Sequence, residues 1–337
     1  MVVNISVDAM GGDYGPSVVL PALEKTLAKN PDVTALVYGD RNLLMAELDS
    51  SLDSAIKQRI QIRSSGASVA CDDKPSAVVR SKSDSSMALA LKAVADNEAD
   101  ACISAGNTGA LMALSMVALG TLPNISRPAI CAEIPTDKGY SLMLDLGANV
   151  DCSAKQLYQF AVLGSYTAKL SLDIEQPSVC LLNVGSEAGK GNSLIQDTAE
   201  LLQAESSINY QGFVEGDGIF CDEADVIVCD GFSGNVALKA GEGVAKHINK
   251  QLSNFCLGSW WLRLLSLLMG NCLKRFRSSI QPSLFNGAHL LGINGVVVKS
   301  HGAADIAGFS AALETAITAA RHQLPSVLLP ILEKNNH

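Results

Sequence analysis

Short apolar runs alternate with stretches of helical spacing along most of this chain, and the alternation sets its architecture. Val3–Val7, Thr34–Tyr38 and Ile60–Arg63 have the apolar character of buried strands. Pro16–Lys29, Ser85–Asn97, Ser153–Leu170, Leu194–Ala204 and Ala303–Arg321 instead place apolar residues three and four apart, as one face of a helix requires. Pro16 suits a helix start, where the N–H it lacks has no partner to lose. Strand–helix units in succession predict an α/β body built on a largely parallel sheet. No repeat, low-complexity segment or Pro/Gly/Ser-rich linker divides the 337 residues. A single catalytic domain over 1–337 is therefore expected, carrying an inserted apolar and basic helical segment at 244–282.

Four times an apolar run stops at a turn bearing glycine and asparagine, and a helical pattern follows. The runs Ala101–Ser104, Ser141–Leu144, Val179–Leu182 and Asp225–Cys229 lead into Gly106–Gly109, Asp145–Asn149, Asn183–Asn192 and Asp230–Asn235. Parallel α/β sheets bind ligands outside the carboxyl ends of their strands, where glycine admits the backbone and helix N-termini aim N–H groups at negative charge. Asparagine adds a donor that does not titrate. Together the four turns predict one anion site, although each asparagine taken singly reads equally as a helix cap. The turn from Asp8 to Asp13, with Gly11 and Gly12, either brings backbone to a ligand or stabilises itself through its aspartates. Lys74 to Lys82, including Arg80, gathers bases and hydroxyls before a helix, as a phosphate contact or as a solvated loop.

Composition narrows the function. A formal charge of −9 sets the molecule as a whole against nucleic acid and anionic membranes. One stretch departs from this: between Glu242 and Asp305 there is no acid, yet Lys246, Lys250, Arg263, Lys274, Arg275, Arg277 and Lys299 all fall there. Within it stand both tryptophans, Trp260 and Trp261, beside Leu264 and Leu265. Arg263 in mid-segment argues against a spanning helix. Paired Trp, flanking bases and missing acids fit a helix lying in the membrane interface, or two short ones broken at Gly258 or Gly270. Contact with a second copy, or burial in the core, fits the apolar face equally. Nine cysteines, an odd number without metal-type spacing, read as buried thiols of a reducing compartment. The first residues read as a strand and not as a signal peptide, so a cytoplasmic protein is expected.

Common catalytic signatures are missing. The spacing between Gly185 and Gly189 is one residue too short for a nucleotide P-loop, and Gly191 stands where a Mg²⁺-binding hydroxyl belongs. What remains is a glycine-rich turn with Lys190 at a helix start, suited to a small anion. Neither the Gly-x-Gly-x-x-Gly fingerprint nor a Gly-x-Ser-x-Gly elbow is present. Cys229 at a strand end reads as an acyl-accepting thiol or as a small buried residue. Without an activated side chain, the nucleophile becomes the bound anion itself.

The segments Asp8–Asp13, Ser104–Ala110, Asp145–Asn149, Gly189–Gly191, Gly212–Gly216, Cys229–Asn235 and Gly287–Gly292 through His301-Gly302, in this order, resemble the bacterial acyl-carrier-protein:phosphate acyltransferase family of phospholipid synthesis. The resemblance runs to about residue 320 and departs at Phe285-Asn286-Gly287, where the family's aromatic–glycine step would stand. It implies a three-layer α/β/α fold with a mostly parallel sheet, related to phosphotransacetylases and isocitrate-dehydrogenase-like enzymes, assembled as a homodimer. It implies transfer of a long-chain acyl group from acyl carrier protein to inorganic phosphate, without metal, organic cofactor or nucleic acid. The product would serve a membrane glycerol-phosphate acyltransferase, hence a peripheral location on the inner face of the membrane, with Trp260, Trp261, Leu264 and Leu265 as its contact.

By resemblance and position, Lys190 takes phosphate or oxyanion charge and Asn235 orients or donates to the oxyanion. Asp230 and His301 handle protons or orient. Asp8, Gly11, Gly12, Arg80, Asn107, Gly109 and Asn149 form the phosphate and substrate cradle. Acidic acyl carrier protein would dock on Arg80, Lys82 and the basic insertion. Two rivals differ in kind: a metal-dependent dehydrogenase, which needs an aspartate cluster, and a non-catalytic membrane scaffold, which leaves the four turns unexplained.

Overall fold

The computed structural model describes residues 2–51, 53–187, 189–258, 261, 269–270 and 286–334. In chain order the strands are β1 (Val3–Asp8), β2 (Val33–Gly39), β3 (Ile60–Ser64), β4 (Ala101–Ser104), β5 (Ala129–Pro135), β6 (Tyr140–Leu144), β7 (Ser178–Leu182), β8 (Asn209–Val214), β9 (Val226–Val228), β10 (Ala288–Leu291) and β11 (Val296–Lys299). The helices are α1 (Pro16–Lys29), α2 (Arg41–Ser51), α3 (Ser54–Lys57), α4 (Pro75–Ser81), α5 (Ser86–Ala95), α6 (Thr108–Leu119), α7 (Ala154–Ser171), α8 (Ser193–Ala204), α9 (Gly231–Leu257), α10 (Ile306–Arg321) and α11 (Leu324–Lys334).

The strands form one sheet in the order β3-β2-β1-β4-β11-β10-β5-β6-β9-β7-β8. Helices cover both faces. α1 and α10 pack over β1, β4 and β11, and α7 covers β6 and β9 on the same side; α5, α6 and α9 lie on the other. Phe309 of α10 and Phe160 of α7 are fully buried, one in each half. Truncating either to alanine would cost roughly 3–5 kcal/mol. Helix starts follow local chemistry. Ser153 and Gln156 make a reciprocal capping box at α7. Asp305 caps α10 through Gly308 N–H at 2.8 Å, so that helix begins at Ile306 and not at Ala303.

The expected parallel sheet holds within each half and fails at the centre. β10 runs antiparallel to β11 and β5, and β5 antiparallel to β6, so the two parallel halves point in opposite directions. Their register compensates. Ser104 pairs Lys299, Lys299 pairs Ala288, the adjacent His289 pairs Cys131, Cys131 pairs Leu144, and Leu144 pairs Val228. The halves are thus staggered, and the carboxyl ends of β4 and β11 stop at nearly the same height as those of β6 and β9.

The predicted insertion at 244–282 begins inside α9, which runs from Gly231 to Leu257 and is followed by Gly258, one of the two expected breaks. Trp260, Leu264 and Leu265 lie outside the described residues, whereas Trp261 is exposed. No helix among the described residues is long and apolar enough to cross a membrane. The thiols divide: Cys102, Cys131, Cys180 and Cys229 are buried as expected, but Cys71 and Cys221 are exposed.

Candidate active site

A cleft of about 360 Å³ lies over the central β10–β5 pair, beneath α9. Its floor is apolar, from Ile130, Ala132, Leu146, Leu238 and Ala288. Asn235 lines one part of its wall, and Lys239, Glu242 and Lys246 follow along α9. Their spacing of four, three and four puts all four on one helix face. Opposite stand Lys299, Ser300 and His301, with Thr108 from the start of α6.

Beside Asn235, two of the predicted turns lock together around Asp145. Its carboxylate accepts from the backbone N–H groups of Ile130 (2.9 Å), Ala148 (3.0 Å) and Asn149 (2.6 Å), and from Asn149 Nδ2 (3.0 Å). Asn149 Nδ2 also donates to Pro128 O, so its carboxamide is spent inside the turn. Gly231 N–H donates to Asn149 O, and Asp230 caps α9 through Ser233 N–H and Oγ. Gly231 and Gly234 make this approach possible: a Cβ on Gly234 would sit 2.0 Å from Asp145 O. Cys229 is buried beneath, and that burial pushes its thiol well above the usual range, which disfavours a thiolate nucleophile.

On the other side, Asp8 plays the matching part. It accepts from Ser86 Oγ and Ser104 Oγ, each at 2.6 Å, and from Met10 N–H. A Cβ on Gly11 would meet Gly106 N at 2.6 Å, and Gly12, at φ +85°, lies against Gly302 O. Burial raises both Asp8 and Asp145 above the ordinary carboxyl range, against the hydrogen bonds that pull them down. Lys299 Nζ donates to Ala105 O at 3.2 Å and to Ser300 O, and burial brings it down to about 8. His301 is lowered too, by desolvation first and then by Lys239. Asn286 holds this loop, accepting His301 N–H at 2.7 Å and donating to Ser300 Oγ.

Of the sequence-predicted residues, Asn235 and His301 line the cleft. Among the described residues the Asn235 carboxamide has no hydrogen-bond partner, so it is available to a ligand. Asp230 supports it as a cap. Asn107 caps α6 through Ala110 N–H and donates to Cys71 O and Asp73 O, which makes it a clamp on the preceding loop. Gly109 lets that loop in: a Cβ would lie 2.9 Å from Pro75 Cγ. Arg80 is exposed on α4, and Lys82 is tied to Asp73 at 2.5 Å; neither lines the cleft. Lys190 is exposed on the β7–α8 turn, where Asn183 Nδ2 donates to Gly185 O and Lys190 O, and it does not line the cleft either. Its turn follows β7, the strand next to β9, so it neighbours the Asp230 turn along the sheet. The plainer capping reading holds for Asn107 and for Asn192 at α8. Among the described residues no three His, Cys, Asp or Glu side chains converge as metal ligands would.

Lys239, Glu242, Lys299, Ser300 and Asn286 were not singled out as site residues by the sequence reading. The α9 stripe was available as a helical spacing after Asn235, and Lys299 as the base adjoining His301.

Comparison with known proteins agrees with this architecture. The sequence profile of a family described as "Fatty acid synthesis protein" matches residues 3–327. A phosphate acyltransferase of Pseudomonas putida is 46% identical over 329 residues, covering 98% of this chain and 97% of its own length. One from Nitrosococcus oceani is 47% identical over 333 residues, with 99% and 97% covered. Among solved structures, a phosphotransacetylase from Streptococcus pyogenes superposes with a TM-score of 0.63 at 16% identity, covering 95% of this chain and 94% of its own. The EutD phosphotransacetylase from Staphylococcus aureus gives 0.59 at 18% identity, with the same coverage. Identity this low speaks to fold alone, and the fold is the three-layer α/β/α one. With near-half identity along almost the whole length, the chain is an acyltransferase belonging to the phosphate acyltransferase family.

Proposed function

We propose that the cleft transfers a long-chain acyl group from the thioester of acyl carrier protein to inorganic phosphate, yielding acyl phosphate for membrane phospholipid synthesis. The observation that carries this reading is the pairing of an apolar floor with Lys239, Lys246, Lys299 and His301 around the same cleft, in a protein of charge −9. Hydrogenphosphate is already an oxygen nucleophile near neutral pH, so the protein has to strip its water, aim it and stabilise the tetrahedral oxyanion. A phosphate oxygen bonds to the thioester carbon, the carbon–sulfur bond breaks, and the phosphate's proton passes to the departing thiolate. Asn235 donates to the carbonyl oxygen as it becomes an oxyanion. Lys190 adds positive charge from the neighbouring turn, and Asp230 holds the helix start that presents Asn235. Asp8, Gly11, Gly12, Asn107, Gly109 and Asn149 shape the cradle by fixing its loops.

Asn235→Ala is expected to lower turnover about 10²–10³-fold, as loss of an oxyanion donor does. Lys190→Ala is expected to lower it by a similar order. Both should leave the unfolding midpoint unchanged. The assay traps acyl phosphate with hydroxylamine after incubation with palmitoyl-acyl carrier protein and phosphate, without added metal. Near-normal rates in both variants would overturn the assignment.

Partners follow from surface chemistry. The acidic carrier docks on Arg80 and on Lys246 and Lys250 of α9. Phe232, Val236, Val244, Ile248 and Phe255 are exposed apolar side chains along α9, which supports a homodimer covering part of this helix. We assign Trp260, Trp261, Leu264 and Leu265 to a peripheral contact with the inner face of the membrane, where a glycerol-phosphate acyltransferase would consume the product. Flotation with anionic liposomes should weaken when Trp260 and Trp261 are both replaced by alanine; unchanged flotation with loss of the dimer would reject the lipid contact.

A further inference from the structure

His301 presents an unmatched hydrogen-bonding problem. Its Nδ1 lies 3.1 Å from Ala303 N–H, which can only donate. Its Nε2 lies 3.1 Å from Lys239 Nζ, which as an ammonium can also only donate. A neutral imidazole carries one proton and offers one lone pair, so it answers one of these donors and opposes the other. An imidazolium would oppose both. Around the pair stand Glu242 and Lys246 from α9, Lys299 from β11 and Asp305 before α10. Glu242 takes part of the charge, accepting from Lys239 Nζ at 3.0 and 3.2 Å, while Asp305 is engaged as the cap of α10. Asp8 and Asp13 add negative charge near Lys299. What a protonated His301 Nε2 lacks is an acceptor. An anion oxygen set against Lys239 Nζ and a protonated Nε2 supplies one and resolves the conflict.

We propose that Lys239 Nζ and His301 Nε2, with Lys299 beside them in the cleft, are the seat of the inorganic phosphate. Occupation of the seat fixes the neutral ring with its proton on Nε2, because Nδ1 keeps its lone pair for Ala303 N–H. One helical turn, about 6 Å, separates Lys239 from Asn235 along α9, so a single helix presents the nucleophile and the oxyanion donor side by side. The seat rests on the acyl-transfer reading for its purpose and on the donor arrangement for its location.

The same chemistry could come from two sources, free phosphate or the phosphodiester of the carrier's prosthetic arm, and the test separates them. Inorganic phosphate is titrated calorimetrically into the full-length protein at neutral pH. Saturable binding is expected. Lys239→Gln and His301→Gln should each weaken binding about 10–100-fold, the weight of a charge-assisted hydrogen bond. Lys239→Arg should retain binding. In the hydroxylamine assay both glutamine variants should raise KM for phosphate and leave KM for acyl carrier protein unchanged. Unaltered binding in the glutamine variants, or a KM change confined to the carrier, overturns the seat. Acyl phosphate formed with an unaltered KM for phosphate sinks the seat and leaves the reaction standing. Phosphate binding that both glutamine substitutions weaken, in a protein that makes no acyl phosphate, does the reverse.

Discussion

Asp8 and Asp145 occupy equivalent places in the two half-sheets, each at a carboxyl end and each locking neighbouring turns together, but they are held by different partners. Besides Met10 N–H, Asp8 receives the Ser86 and Ser104 hydroxyls, which rotate and can accept as well as donate. Asp145 receives backbone N–H groups of Ile130, Ala148 and Asn149, which cannot turn around. The same residue type thus makes an adjustable joint on one side of the cleft and a fixed one on the other. Asn235, the group available for chemistry, stands on the fixed side.

The largest effect should come from filling the fixed joint. Gly234→Ala puts a methyl 2.0 Å from Asp145 O and is expected to cost about 3 kcal/mol or more in urea unfolding. Gly243→Ala, in the same helix with open space around it, should instead stabilise by about 1 kcal/mol. A tolerated Gly234→Ala would show that the two turns are not locked. Next in size is a paired substitution. In Asp145→Asn the new NH₂ faces backbone N–H groups whichever way it turns, for a cost of about 2–4 kcal/mol. In Asp8→Asn the amide can donate to Ser104 Oγ, and the cost should stay under about 1 kcal/mol. Equal costs would erase the distinction.

The smallest effect is a slope with pH. Both carboxyls are raised in the fold, so the stability they contribute is complete below their unfolded value of 3.8 and is lost as pH rises through the raised folded values. Urea midpoints measured upward from that pH should therefore favour Asp8→Asn over the parent increasingly. A parallel pair of curves would mean that Asp8 ionises freely.

Much of this was open to reading in the chain. The alternation of strand and helix gave the layers, and the glycine–asparagine turns gave the ends where loops converge. The reversal of direction was hidden, because β10 is four residues long and its pairing with β5 is a fact of tertiary register. Asn107, Asn149 and Asn235 look alike in sequence. Two of them are consumed by their own loops, and this depends on where Cys71 O, Asp73 O and Pro128 O arrive in space. Lys299 reads as the end of a strand until burial and Ala105 O give it a place. The stripe from Asn235 to Lys246 needed α9 to be recognised as one helix crossing the sheet.

The brevity of β10 has a mechanical consequence. Its four residues are a ruler that sets how far apart the two loop rims stand, since every pairing between the halves passes through it. A slip of two residues would leave each half folded, with its side-chain facing preserved, yet would displace one rim against the other by roughly 7 Å. Alignment of nucleophile and thioester is in this sense a property of strand register, and substitutions at His289 or Leu290 can misalign the reactants without touching either.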